Sequence, residues 1–162
     1  MLLKQAELYW GLDHEFVKKV MDQTTKAAYD AQAVIFREGE TANQFYTLIK
    51  GYVGLRIGEG GRMVFTINHA GESFGWSSLV GRDQYSATAV CHEPTTVSII
   101  SREAFWQIIK QNPAEGLVFM QRLAGLLGKR LLRSYELLDR SEAEDKQRSF
   151  GTGQVLEVLS EE

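Results

Sequence analysis

The chain has 162 residues, of which 44% are apolar and 24% charged, and its formal net charge is −3. This composition is typical of a globular protein with its own core, and it excludes collagen-like and disordered chains. No apolar run approaches the ~18 residues of a membrane span, and the net negative charge argues against a general nucleic-acid-binding surface. With Cys91 as the single cysteine and no secretory leader pattern, we expect a cytoplasmic protein without a disulfide or a membrane segment.

The first predicted element is an amphipathic helix. Residues 5–20 place apolar side chains at four-residue steps, which is typical of a helix with one buried face. Asp13 is the expected N-cap, because its carboxylate can accept hydrogen bonds from the first free N–H groups. The helix is therefore predicted to extend to about Val20. Its periodic residues are Leu8, Leu12, Phe16 and Val20.

From Ala33 the apolar period changes toward two, which indicates β-strands. The predicted strands cover residues 34–36, 44–50, 52–57, 62–67, 87–91 and 95–100. The third and fourth form a hairpin around a glycine-rich turn, with their alternate apolar residues expected to meet on one face. These residues are Val53, Leu55 and Ile57 on one strand and Met63, Phe65 and Ile67 on the other. Many short strands at even spacing favour a sandwich or jelly roll.

The last third of the chain is predicted to be helical. A short helix at residues 101–112 has Ser101 as N-cap, and a long helix at 114–139 follows Pro113. An apolar stripe on the long helix predicts a homodimer, with packing against the chain's own β-strands as the alternative. Residues 141–162 are polar and are expected to form a flexible or partner-dependent tail. The stripe comprises Leu117, Met120, Ala124, Leu127, Leu131, Ser134 and Leu138.

Residues 70–90 form a glycine-punctuated segment that we call the cassette. Gly71 and Gly75 allow positive φ and a close approach of the backbone. Ser77 and Ser78 are expected to present N–H and O–H donors at the start of a helical turn, which favours an anionic ligand. The alternative is an ordinary turn between apolar runs.

The order of these motifs resembles the cyclic nucleotide-binding domain of the bacterial catabolite-activator and fumarate-nitrate-regulator type. The resemblance covers about residues 5–140 and includes Ile35-Phe-Arg-Glu-Gly-Glu40, Phe45-Tyr-Thr-Leu-Ile-Lys-Gly51 and the cassette. It implies a mainly β fold, an eight-stranded jelly roll (double-stranded β-helix) over about residues 30–100, flanked by helices. It also implies a domain at residues 1–140, a cassette that holds a cyclic phosphate and ribose, and a long helix that dimerises and reads the base.

The cassette departs from the family's pattern at the two charged positions. Trp76 stands where the family has a glutamate for the ribose, and Tyr85 where it has an arginine for the phosphate. A tyrosine supplies only a neutral donor, so we expect weak or no binding of cyclic AMP or cyclic GMP. Arg82 is a possible substitute cation, and the two aromatic residues either fill the nucleotide's volume or accept a different ligand. The predicted ligand-binding residues are Gly71, Glu72, Phe74, Gly75, Trp76, Ser77, Ser78, Tyr85, Ser86, Ala87, Thr88 and, on the long helix, Lys129.

Two functions remain open. One is a small-molecule sensor in signal transduction that acts through dimer geometry, with a cyclic nucleotide or another small anion as candidate ligand. The other is a ligand-free dimeric scaffold or protein-interaction module. We expect no metal site, because His69 and His92 lack a ligand cluster, and no enzyme, because no nucleophile–base pair is present. The resembled regulators carry a winged helix-turn-helix after the long helix; we expect no DNA binding by this chain alone.

Overall fold

The computed structural model describes residues 6–141, with side chains described up to Glu136. The described residues fall into two compact units, one that ends at Gly125 and one that begins at Leu126. The helices are α1 (His14–Asp22), α2 (Arg102–Gln111) and α3 (Pro113–Ser141), and Trp76–Ser78 form a 3₁₀ turn. The strands are β1 (Thr25–Tyr29), β2 (Val34–Phe36), β3 (Gln44–Lys50), β4 (Val53–Ile57), β5 (Arg62–Ile67), β6 (Ser73–Phe74), β7 (Thr88–Cys91) and β8 (Thr95–Ser101).

The eight strands form two four-stranded sheets with the orders β1-β8-β3-β6 and β2-β7-β4-β5. All the pairings are antiparallel. Successive strands move repeatedly from one sheet to the other, and the buried apolar residues of both sheets form one core. This arrangement confirms the predicted jelly roll with flanking helices.

Two strands were absent from the sequence prediction. β1 is mostly exposed, pairs with β8 along its whole length, and contains Ala27 and Ala28, which have low strand propensity. β6 has only two residues, and it pairs with β3 through Tyr46 opposite Phe74. Both strands exist because of pairing with a distant segment, so a local pattern cannot reveal them.

The β4–β5 hairpin differs from its predicted pairing at the outer end. Leu55 lies opposite Phe65 as expected, but a bulge then shifts the register, so that Ile57 faces Arg62 instead of Met63. Because a one-residue shift moves side chains to the other face of a sheet, the predicted common apolar face stops at this bulge. Ile57 and Met63 are accordingly each 41% exposed.

The predicted helix caps are confirmed. Asp13 Oδ1 accepts hydrogen bonds from Glu15 N at 2.8 Å and Phe16 N at 3.2 Å. Ser101 Oγ accepts one from Ala104 N at 3.1 Å. Each cap satisfies N–H groups that have no partner inside the helix.

The first part of α3 packs on its own unit through residues outside the predicted stripe. Phe119 is fully buried, with its ring centroid 4.7 Å from that of Phe105 and 5.2 Å from that of Tyr9. Leu117, in contrast, is 62% exposed. Leu117 therefore does not pack on the chain's own strands, which was the alternative to a dimer. Leu138 and the predicted tail at 141–162 lie outside the residues with described side chains.

The cap of α2 gives a testable consequence. We expect Ser101→Ala to lower the free energy of unfolding by about 1 kcal/mol, because Ala104 N loses its acceptor. Gln107→Ala, on the exposed part of the same helix, is the control and should change stability by less than about 0.5 kcal/mol. Urea denaturation followed by circular dichroism measures both. Equal effects of the two substitutions would contradict the capping role.

Candidate functional site

The cassette leaves β6, passes through the 3₁₀ turn and returns to β7. Gly71 and Gly75 have φ of +92° and +74°, as predicted. A Cβ on Gly75 would lie 2.8 Å from Tyr46 Cδ2, and one on Gly71 would lie 3.1 Å from Ala6 Cα. Glycine is thus required at both positions because the chain itself approaches closely, whether or not a ligand does.

Tyr85 points into the jelly roll. Its ring stacks on that of Phe36 with centroids 3.9 Å apart, and the residue is only 4% exposed. Its hydroxyl donates to Gln44 O at 2.8 Å and accepts from Gln44 N at 3.1 Å. Burial raises the pKa of Tyr85 above its usual value, so the hydroxyl stays neutral. Of the two predicted outcomes for this residue, the structure has the one in which the ring fills interior volume.

Four aromatic rings form a layer beneath the cassette, which we call the ring cluster: Phe36, Tyr46, Phe74 and Tyr85. Tyr46 stacks on Phe74 with centroids 5.1 Å apart, and Tyr46 Oη donates to Gln44 Oε1 at 2.8 Å. Burial raises the pKa of Tyr46 as well. Phe74, a predicted ligand-binding residue, is fully buried and belongs to this core.

Trp76 behaves differently from Tyr85. It begins the 3₁₀ turn directly after Gly75, and it is partly exposed. The sequence alternative in which Trp76 also packs into the cassette stays a prediction.

Ser78 is not a free donor, contrary to the sequence prediction. Its N–H donates to Gly75 O at 3.2 Å and its hydroxyl donates to the same oxygen at 2.9 Å. Ser78 is fully buried, and Ser77 is 2% exposed. The tight turn explains the difference, because it brings the donors of Ser78 back onto the carbonyl group three residues earlier.

Glu72 is used within its own loop. Glu72 Oε2 accepts from Asn68 N and His69 N, each at 2.9 Å, and lies 3.7 Å from His69 Nδ1. The carboxylate therefore caps the turn that precedes β6. A ligand contact by Glu72 stays a prediction.

Ser86, Ala87 and Thr88 follow Tyr85 and are partly exposed. Thr88 Oγ1 accepts from Glu38 N at 3.0 Å. Because a threonine hydroxyl has one proton and two lone pairs, Thr88 retains a donor for a further partner. The carboxylate of Glu38 in turn accepts from Gly58 N at 2.8 Å, so the tip of the β4–β5 hairpin is bonded close to this part of the cassette.

Arg102 is a cassette contact that the sequence prediction missed. Its guanidinium donates to Ser78 O and Arg82 O and lies beside Asp83. The only signal in the sequence was a basic residue directly after the α2 N-cap, which is not specific. Arg82, the predicted substitute cation, has an exposed side chain.

Lys129, the remaining predicted site residue, is exposed on α3 in the second unit. Its role in ligand binding stays a prediction. Across residues 6–141, no group of three or more His, Cys, Asp or Glu side chains is placed to hold a metal ion. None of the helices in that range is long and apolar enough to span a bilayer.

The hydroxyl of Tyr85 gives a second testable consequence. We expect Tyr85→Phe to lower the free energy of unfolding by about 1–2 kcal/mol, because both hydrogen bonds to the main chain of Gln44 are lost. Tyr52→Phe, at a partly exposed tyrosine before β4, is the control and should cost less than about 0.5 kcal/mol. Urea denaturation of the two variants provides the comparison. A Tyr85→Phe variant as stable as the wild type would show that the hydroxyl is not needed to hold the cassette.

Comparison with known proteins supports the same fold. The model of the "Cyclic nucleotide-binding domain" family matches residues 26–112. The "Cyclic AMP receptor protein" of Thermus thermophilus is 30% identical over 131 residues, which is 80% of this chain and 59% of the relative. The crystal structure of Thermus thermophilus catabolite activator protein superposes with a TM-score of 0.69 at 28% identity, over 84% of this chain and 63% of that one. A cyclic nucleotide-binding domain from Methylobacillus flagellatus gives a TM-score of 0.76 at 21% identity, over 90% of this chain and 83% of the other, and shows the fold alone.

The chain thus spans less than two thirds of the length of the Thermus relative. The family match, in contrast, covers more than half of the chain and includes the whole cassette. The jelly roll, the cassette between β6 and β7 and the two helices after β8 occur in the order that the sequence motifs indicated. The chain belongs to the cyclic nucleotide-binding domain family.

Proposed function

We propose that the chain is a small-molecule sensor domain of a regulatory protein, that it acts as a homodimer, and that it binds ordinary cyclic nucleotides weakly or not at all. The observation that carries the proposal is the direction of Tyr85, whose side chain is stacked on Phe36 inside the roll. The resemblance places a phosphate-binding arginine at this position. Tyr85 offers a phosphate neither a positive charge nor a free hydroxyl.

The size of this loss supports the proposal. A hydrogen bond to a charged group contributes about 1.5–3 kcal/mol, whereas a neutral one contributes about 0.5–1.5 kcal/mol. Besides the exposed Arg82 and Asp83, the partly exposed residues of the cassette include Trp76, Ser86 and Thr88, which are neutral. They suit a small ligand with a flat apolar part and hydrogen-bonding groups. An anion would need a further cation, with Arg82 as the candidate on the cassette itself.

Calorimetric titration tests the ligand part of the proposal. We expect no micromolar binding of cyclic AMP or cyclic GMP to the wild type, and at least about tenfold tighter binding by Trp76→Glu/Tyr85→Arg, because both charged contacts return. Tyr85→Met, which removes the ring without adding charge, is the control and should not improve binding. Circular dichroism checks that each variant is folded. Micromolar or tighter binding by the wild type would overturn this part.

The dimer rests on apolar residues of α3 that are exposed in the single chain. Leu117 and Leu131 of the predicted stripe are 62% and 51% exposed, and Leu132 beside it is 62% exposed. A long apolar stripe of this kind is unfavourable in water, and a second α3 helix is a suitable cover. Gly128 provides a position for a test, since among the described residues a Cβ there would meet nothing within 4 Å beyond its own turn of helix. A Cβ at residue 128 therefore meets no obstacle in the single chain, so Gly128 is a suitable position at which to test for a closely packed partner.

Light scattering tests the dimer. We expect a dimeric wild type, and we expect Gly128→Leu to weaken dimerisation more than Lys129→Ala does. The leucine should by itself favour the helix by up to about 1 kcal/mol, so a loss of dimer cannot be ascribed to unfolding of α3. A monomeric wild type would contradict the proposed dimer. If Gly128→Leu leaves both the dimer and any ligand response unchanged, α3 is not packed closely at this residue.

A ligand-free dimeric scaffold is the second candidate function. It is favoured by the buried positions of Phe74 and Ser78, which leave fewer cassette groups for a ligand. Thermal shifts against a panel of nucleotides and small anions separate the two candidates. A reproducible rise in melting temperature with one compound supports the sensor, and no response across the panel supports the scaffold.

A further inference from the structure

Arg102 lies where α2 meets the cassette. It is the first residue of α2, directly after the final residue of β8, and its main-chain N donates to Asn43 O at 2.8 Å. Its side chain is 31% exposed. The strand, the helix cap and this hydrogen bond fix the main chain at Arg102. The side chain therefore extends from a well-defined backbone position.

The guanidinium contacts both ends of one loop. Arg102 Nε donates to Ser78 O at 2.7 Å, at the end of the 3₁₀ turn. Arg102 Nη2 donates to Arg82 O, and Arg102 Nη1 lies 3.6 Å from Asp83 Oδ1, where the chain turns back toward Tyr85. A planar guanidinium with five donors can serve two carbonyl groups and a carboxylate together, whereas the single ammonium of a lysine cannot span the same positions.

The loop between these contacts has few other anchors near its tip. Val80 is 38% exposed, and Gly81 has a φ of +77°. Leu79 is buried, and its N–H donates to Trp76 O at 2.9 Å. On the return side, Ala42 N donates to Asp83 O at 2.8 Å. Arg102 is the side chain that joins the two sides, since it bonds to residues before and after Gly81.

Arg102 also influences the ring cluster. Its positive charge opposes the rise in the pKa of Tyr85 that burial causes, which places the guanidinium within electrostatic range of the Tyr85 hydroxyl. The arginine thus acts on the 3₁₀ turn and on the return segment that carries Tyr85.

We propose that Arg102 is the positioning residue of the cassette. Its guanidinium holds residues 78–83 in the arrangement described above without the help of any ligand. The chain itself supplies the cation that orders this loop. The role goes beyond the proposed sensor function, because it concerns the shape of the loop and is the same for a sensor and for a scaffold.

Hydrogen exchange of the full chain tests this role. In Arg102→Gln, we expect the amides of Ser78, Leu79 and Tyr85 to exchange about tenfold faster or more, because the loop loses its charge-assisted hydrogen bonds. Amides of the central strands, such as that of Val97, should change much less. Lys110→Gln removes a positive charge from the exposed end of the same helix and serves as the matched control, with no change expected in the loop.

Two further variants separate positioning from simple stabilisation. Arg102→Lys keeps the charge but not the planar fork, so its loop should exchange at a rate between those of the wild type and Arg102→Gln. In Arg102→Ala, added guanidinium ion should slow the exchange of the three loop amides, with sodium chloride at equal ionic strength as the control. Ligand-free protein is used throughout, so a failed sensor function does not affect the result.

The outcomes that overturn the proposal are specific. Unchanged loop exchange in Arg102→Gln would show that other contacts hold the loop. An equal rise at the loop and at Val97 would show that Arg102 only contributes to global stability. Wild-type exchange in Arg102→Lys would show that charge alone suffices, and failure of guanidinium to slow exchange in Arg102→Ala would assign the effect to lost packing.

Discussion

The inward position of Tyr85 is the constraint on which the cassette depends. Its side chain is held by stacking on Phe36 and by two hydrogen bonds to the main chain of Gln44. Its main chain is held too, because Tyr85 N donates to Glu40 O and Gly39 N donates to Tyr85 O, both at 2.9 Å. With both parts fixed, the residue joins the return segment of the cassette to β2 and β3. The positions of the partly exposed residues Ser86 to Thr88 therefore depend on Tyr85.

The same interaction explains the rest of the cassette floor. Once Tyr85 and Phe36 are stacked, Tyr46 and Phe74 complete the ring cluster, and Gly75 must be glycine because Tyr46 lies against its Cα. Aromatic pairs of this kind contribute about 0.5–1.5 kcal/mol each beyond their buried area. In this chain the position that the family pattern gives to a charged ligand contact is part of the hydrophobic core. The cyclic nucleotide-binding fold is kept, and residue 85 is a buried tyrosine.

Local signals in the sequence were sufficient for elements whose own residues carry a clear pattern. Alternation predicted the bounds of β3 and β5, and the capping chemistry of Asp13 and Ser101 predicted where α1 and α2 begin. Elements without such a pattern were missed, as in β6, which has two residues and is identified by its pairing with β3. The contacts of Arg102 were missed for the same reason. Residue types identified Tyr85 and Trp76 as the unusual positions, but only the register of neighbouring segments determines that one is buried and the other partly exposed.

The most direct test of this account is an NMR measurement of the Tyr85 ring in solution. Nuclear Overhauser effects between the ring protons of Tyr85 and those of Phe36 report whether the stacked arrangement exists and whether it survives a ligand. We expect these effects in the free protein, unchanged in the presence of millimolar cyclic AMP. Their absence from the free protein, or their loss when cyclic AMP is added, would contradict the claim that Tyr85 is a core residue that closes the arginine position of the cassette.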